Sequence, residues 1–138
     1  MEYRVYNIEE KRWVDDETYL TPNGKLYAMN QSIFGRTKLS ELPQEQYVYH
    51  RGIDLWDKEN VQVYEGDYIQ AKVDKDKSVV GIVAFAYELS AYVILCVDSE
   101  EFYTLGSEVT EFIQVVGNVF DGYEVVQDGE QALQEPKE

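Results

Sequence analysis

His50 is the only histidine in the chain and Cys96 the only cysteine, so a Ser-His or Cys-His mechanism would have to run through them. Neither has the setting for it. His50 is flanked by Tyr49 and Arg51 with no nucleophile motif nearby, and reads as a polar strand-end residue. Cys96 lies within the apolar run Ala91-Tyr92-Val93-Ile94-Leu95-Cys96-Val97, where a thiol behaves as a small buried hydrophobe. Glu65 and Asp67 would share one side of an extended strand, and paired-carboxylate hydrolysis needs two acids facing one cleft. Gly66 between them makes a turn the better reading. Other acids gather at Asp15-Asp16-Glu17, Asp74/Asp76 and Asp98/Glu100/Glu101. These lack the glycine hinge and terminal glutamate of a calcium loop and read as solvated turn acids. One Cys and one His cannot complete a tetrahedral zinc set. Neither G-x-G-x-x-G nor G-x-x-x-x-G-K occurs, so no phosphate cradle is expected. The expectation is no catalytic set, no metal and no cofactor.

The elements that position these residues are strands. The organising stretch is Val63-Tyr64-Glu65-Gly66-Asp67-Tyr68-Ile69, an apolar run broken by acid, glycine and acid. Gly66 can take the positive φ of a corner, and the Asp67 carboxylate can accept hydrogen bonds from nearby backbone N–H groups. Tyr64, Glu65, Gly66 and Asp67 therefore form a structural corner, after which 68–73 alternates as a half-buried strand.

Before the corner, two hairpins are expected. One runs through Glu2 to Asn7, turns at 8–11 and returns as Arg12-Trp13-Val14. The other turns at Thr21-Pro22-Asn23-Gly24 and returns over 25–29. Asn30 to Lys38 reads as loop, and 39–46 can hold one helical turn limited by Pro43. Tyr47 to His50 is a strand candidate, with Gly52 to Asn60 as a connection.

Beyond the corner, 79–87 and 91–97 are apolar on both faces, which calls for cover on both. Gly81 within the first suggests a bend or bulge. A short strand follows at 102–105 and a long closing strand at 112–120, in which Gly117 and Asn118 read as a bulge. The strand spacing fits a small barrel. Tyr47, Tyr49, Tyr3 and Trp56 are the aromatics that could form a sticky surface, with packing as their simpler role.

The domain reading is an amino-terminal β hairpin region at 1–45, a barrel at 46–126 and a disordered acidic tail at 127–138. The hairpins are expected to pack on the barrel and cover its second face, with a homo-oligomer as the alternative. Deletion of the hairpins should then expose that face.

Charge narrows the partners. The 138-residue chain has 12 tyrosines and a net charge of −15. Residues 78–138 hold 12 acids against one base, Lys137, so the acidity belongs to the second half. Such a field repels phosphate backbones and anionic membranes. Direct nucleic-acid binding is not expected. A lone cysteine, no basic and apolar leader, and no apolar run near the length of a membrane span point to the cytoplasm.

Three stretches carry a resemblance to the YopX family, small proteins encoded by phages and prophages of bacteria. The first is Tyr47, Gly52, Asp57-Lys58 and the corner from Val63 to Ile69. The second is Gly81-Ile82-Val83-Ala84-Phe85. The third is Val115-Val116-Gly117-Asn118-Val119-Phe120. The chain departs from the family pattern at Asp121-Gly122-Tyr123, where members often carry Glu-Asn-Pro, and at Arg4-Val5-Tyr6, where many carry Arg-x-Trp. What the resemblance implies is a mainly β fold with an SH3-like barrel in its carboxy-terminal part, and a phage or prophage origin. It implies no catalytic residue. The leading expectation is a non-enzymatic accessory protein that binds another protein, acting in the cytoplasm of a bacterial host. The alternatives are an acidic decoy that mimics DNA and blocks a host nucleic-acid-binding protein, and an enzyme using Glu65, Asp67 or His50.

Overall fold

In a computed structural model, the described residues are 2–31, 37–74, 77–106 and 112–125. They form antiparallel β structure with no helix among them. The chain divides into two units, Met1–Arg51 and Gly52–Glu138.

In the first unit, β1 (Tyr3–Asn7) pairs on one side with β2 (Arg12–Trp13) and on the other with the start of β6 (Tyr47–Trp56), in register Tyr3↔Arg51 to Asn7↔Tyr47. Asn7 organises the β1–β2 turn. Its buried side-chain oxygen accepts the Glu10 N–H at 3.1 Å, and Lys11 takes the positive φ of 56° that reverses the chain. Val5 and Tyr6 are buried, and the Tyr6 and Trp13 rings meet edge to face at 4.9 Å.

A second sheet of this unit runs β3 (Thr18–Leu20), β4 (Leu26–Gln31), β5 (Thr37–Leu42). At the β3–β4 turn Gly24 has φ 89°, and the Gly24 N–H donates to the Thr21 carbonyl at 2.9 Å. Two sequence readings are corrected here. Asn30, Gln31, Thr37 and Lys38 belong to paired strands rather than to loop, residues 32–36 lying outside the described set. Leu39 to Leu42 is strand, not a helical turn. The pairs Met29↔Leu39 and Leu26↔Leu42 supply cross-strand partners that override a weak local helix preference.

The second unit is built on one six-stranded antiparallel sheet. Its order is β11 (Phe102–Thr104), β10 (Ala91–Cys96), β9 (Lys77–Ala86), β8 (Asp67–Asp74), β12 (Gln114–Asn118), β13 (Gly122–Tyr123). The short β7 (Gln62–Tyr64) pairs with the end of β6 through Gly52↔Tyr64 and Trp56↔Gln62. Gly52 to Trp56 is thus strand, where a connection was expected. Its irregular register hides it from a period-two reading.

One sheet face carries the core, with Ile69 and Ala71 of β8, Val83 of β9 and Ile94 of β10 packed with Ile53, Val63 and Ile113. Burial of each Val or Ile here is worth about 1.5–3 kcal/mol. Gly81 lies on this face without a bulge: Ile69↔Gly81 and Cys96↔Gly81 keep the ladder regular. It is glycine because of close approach. A Cβ at Gly81 would stand 2.9 Å from the Leu95 carbonyl oxygen and 3.0 Å from the Ile94 Cβ.

The closing strand is shorter than expected. It ends at Asn118, and the chain turns back as β13. A register shift lies between Val115 and Gly117, which places the bulge at Val116, beside Gly117 and Asn118. The Asn118 side chain holds the turn, its Oδ1 accepting the Phe120 and Asp121 N–H groups at 3.0 Å each. The tail from residue 126 onward and the Lys75-Asp76 turn lie outside the described residues.

Candidate functional site

The residues singled out for chemistry are held in structural roles. Gly66 turns the corner with φ 84°, its N–H donating to the Val83 carbonyl and its own carbonyl accepting the Val119 N–H, both at 2.9 Å. Asp67 is 1% exposed, and its Oδ2 accepts the Tyr64 N–H at 2.8 Å. Glu65 accepts a hydrogen bond from the Tyr92 hydroxyl at 3.3 Å, and the Tyr92 ring leans edge to face on Phe85 at 5.0 Å. His50 belongs to the other unit. It sits within β6 rather than at a strand end, opposite Arg4 of β1 and 6.3 Å from the Trp13 ring. The Arg4 guanidinium lies 4.4 Å over that same ring. Cys96 is 9% exposed, and burial pushes its thiol pKa up, with Asp98 and Glu101 adding to the rise. Among the described residues there is no group of three or more His, Cys, Asp or Glu positioned to hold a metal ion.

Asp57, in sequence part of a charged connection and of the family resemblance, has a larger structural role than any of these. It is 8% exposed, and its Oδ1 accepts the Glu59 and Val61 N–H groups at 2.9 and 2.8 Å. Its Oδ2 accepts the Val115 N–H at 3.0 Å. One carboxylate thereby closes the 57–61 loop and ties it to β12. The sequence signal was present, since Asp before a Lys-Glu-Asn run at a chain reversal is where such a loop begins.

Of the four aromatics that could form a sticky surface, Tyr3, Tyr47, Tyr49 and Trp56, three are packed. Tyr3, Tyr47 and Tyr49 are partly buried in the first unit. There the Tyr3 hydroxyl bonds Thr18, and the Tyr47 hydroxyl accepts from the Asn7 amide. Trp56 is exposed and belongs to the second.

A different surface is present. Leu95 and Phe102 are direct partners across β10 and β11, on the sheet face opposite the core, and are 44% and 47% exposed. Val97 continues the β10 side of this face, and Val80 continues it on β9. Leu95, Val97 and Phe102 are exposed apolar side chains on this face, whereas Val93, two residues before Leu95, is buried. Beside them lies a cavity of about 450 Å³ lined by Val80, Val97, Tyr123 and Val125, with Lys77, Asp98, Ser99 and Glu101 also in its lining. The Lys77 ammonium bonds Tyr103 and Glu101, each at 3.3 Å, which raises its pKa. Asp98 and Glu100 make no ion pair among the described residues.

A sequence model of the YopX protein family matches residues 2–126. The chain belongs to the YopX family. The crystal structure of protein yopX from Bacillus subtilis is similar in fold, with a TM-score of 0.56 at 18% identity, covering 86% of this chain and 91% of that one. No curated protein matches. In this YopX family member, the stretches that carried the resemblance lie in the second unit, apart from Tyr47 in the first. The corner at Gly66, the strand from Gly81 to Phe85 and the run from Val115 to Phe120 are joined by the two backbone hydrogen bonds of Gly66. The family pattern at these places is a folding pattern. The exposed Leu95 and Phe102 lie outside it.

Proposed function

We propose that this YopX family protein is a non-enzymatic accessory protein, phage- or prophage-encoded and acting in the bacterial cytoplasm, whose work is to bind another protein. The observation that carries this reading is the exposed apolar strip at Leu95, Val97 and Phe102 beside the 450 Å³ cavity. Large apolar side chains grouped at a sheet edge and rimmed by charge are a common form of protein interaction site. The enzymatic alternative is disfavoured by geometry. Asp67 is buried and bonded to backbone, Glu65 is held by Tyr92, and His50 lies mid-strand in β6 opposite Arg4. Reading the second unit as an SH3-like barrel is supported by its short antiparallel strands and the Gly66 corner.

The test is capture from lysate of the bacterial host on the immobilised full chain, then reconstitution with the purified partner. A Leu95→Asp, Phe102→Asp double variant serves as the comparison. Saturable binding by the wild type, lost in the variant while its circular dichroism is unchanged, is the expected result. Equal retention by both proteins, or no saturable partner, would overturn the reading.

A further inference from the structure

We propose that the strip formed by Leu95, Phe102 and Val97, with the cavity walled by Val80, Tyr123 and Val125, docks a basic amphipathic segment of a partner protein. The segment places apolar side chains on the strip and Lys or Arg side chains at Asp98 and Glu100. This rests on the binding reading above and names the chemistry of the occupant.

Leu95, Phe102, Val97, Val80 and Tyr123 lie on the sheet face opposite the core, and Val125 joins Val80, Val97 and Tyr123 in the cavity lining. Leu95 stands opposite both Phe102 and Ile82, and Val80 is two residues from Ile82 on the same strand. Tyr123 reaches the same face through the pairs Gly117↔Tyr123, Gly117↔Tyr68 and Tyr68↔Ile82, and its ring lies 4.6 Å from that of Tyr68. An apolar occupant would find a cavity of about 450 Å³ to fill.

Charge selects among the occupants. Among the described residues, the cation at this rim, Lys77, is already bonded to Glu101 and Tyr103, whereas Asp98 and Glu100 are exposed and without an ion pair. A second copy of the chain would bring another net charge of −15. A nucleic acid or an anionic lipid surface would bring phosphates. Each is repelled, and a basic segment is drawn in. Charge alone would bind any polycation weakly and equally at every acidic turn. The apolar strip localises the contact, because a site that desolvates anchor side chains carries most of an interface's affinity.

The experiment uses the full chain and a labelled synthetic peptide of alternating Leu and Lys, followed by fluorescence anisotropy. Peptides alternating Ser and Lys, and Leu and Glu, are the controls. The Leu–Lys peptide should bind at least about tenfold tighter than either control. Leu95→Ser with Phe102→Ser should weaken it about tenfold, and Asp98→Asn with Glu100→Gln by about three- to tenfold at low ionic strength. Asp15→Asn with Asp16→Asn removes the same charge elsewhere and should leave affinity unchanged. These residues are exposed, and circular dichroism checks the fold of each variant. Equal weakening by the two acidic pairs, or Leu–Lys binding no tighter than Ser–Lys, would overturn the proposal. Concentration-dependent dimerisation abolished by Leu95→Ser with Phe102→Ser would make a second copy the occupant and also overturn it. A captured partner that needs Leu95 and Phe102 but is indifferent to Asp98 and Glu100 would leave the binding function standing and sink this inference alone.

Discussion

At the scale of single residues, the fold is held by buried carboxylates that serve backbone N–H groups. Asp57 is the clearest, with three such bonds. In Asp57→Asn, Oδ1 can keep the Glu59 and Val61 N–H groups, but an amide nitrogen would then face the Val115 N–H. Two donors meet, and one buried donor is left unsatisfied, at a cost of about 1–3 kcal/mol. Urea denaturation should show a lower midpoint with an unchanged slope, and an unshifted midpoint would refute the bonding. Gly66→Val forces a β-branched residue to φ 84°. At about 1–3 kcal/mol of strain, the melting temperature should fall by roughly 5–10 °C, and wild-type stability would mean that Gly66 is free to adopt another conformation. Cys96 supplies a test that depends on pH. Its pKa is raised because burial penalises the thiolate, so at pH 8 the folded thiol is less ionised than a free one. Alkylation by iodoacetamide should be much slower than for a model thiol at that pH, and should reach the model rate in urea. Reaction at the free-thiol rate in the native protein would contradict the burial.

At the scale of elements, hairpin closure depends on how near two backbones approach. Where β12 meets β13, a Cβ at Gly117 would come within 1.9 Å of the Gly122 carbonyl oxygen and 2.6 Å of the Tyr123 Cα. Both clashes are with backbone, so a side chain cannot swing away. Gly117→Ala should therefore separate β13 from β12, at a cost on the order of 1–3 kcal/mol, and speed hydrogen exchange at the Glu124 N–H that bonds Val116. Unchanged exchange there would show that the hairpin tolerates the methyl. What the sequence disclosed about elements follows the same physics. Turns announced themselves where a backbone needs a special residue, as at Gly24 and Gly66. Strands 67–74 and 77–86 were legible from β-branched and aromatic content. The misreadings lie where local signals are weak and pairing decides. Leu39-Ser40-Glu41-Leu42 has no strand pattern, yet β4 lies beside it to pair with. Gly52 to Trp56 alternates poorly because its ladder slips. The exposed strip was hidden for another reason. An exposed apolar strand has the composition of one in a core, so Leu95 looked like a residue that needed cover.

At the scale of the whole molecule, composition disclosed charge directly, and charge has a consequence for stability. With a net −15, like charges repel more in the folded chain than in the expanded one. Opposing this are the attractive pairs that salt would also screen. Among the described residues two lie at the surface, Arg12 with Glu10 at 2.6 Å and Lys77 with Glu101 at 3.3 Å, and exposed pairs of this kind contribute little. With 27 acids against 12 bases, the sum favours net repulsion. Raising ionic strength from about 0.01 to 0.15 M shortens the screening length from about 30 Å to about 8 Å, which removes the long-range repulsion first and leaves contacts at ion-pair distance least affected. The melting temperature at pH 7 should accordingly rise by a few degrees over that range, read by differential scanning calorimetry in sodium chloride. The rise should be smaller in a variant with Asp98→Asn, Glu100→Gln and Glu124→Gln, which removes three of the acids of the second half. A melting temperature that falls with salt would mean that attractive pairs outweigh repulsion and that the acidity is locally compensated. Asp98 and Glu100 would then no longer be open to a basic partner, so this measurement also bears on what the sheet edge can bind.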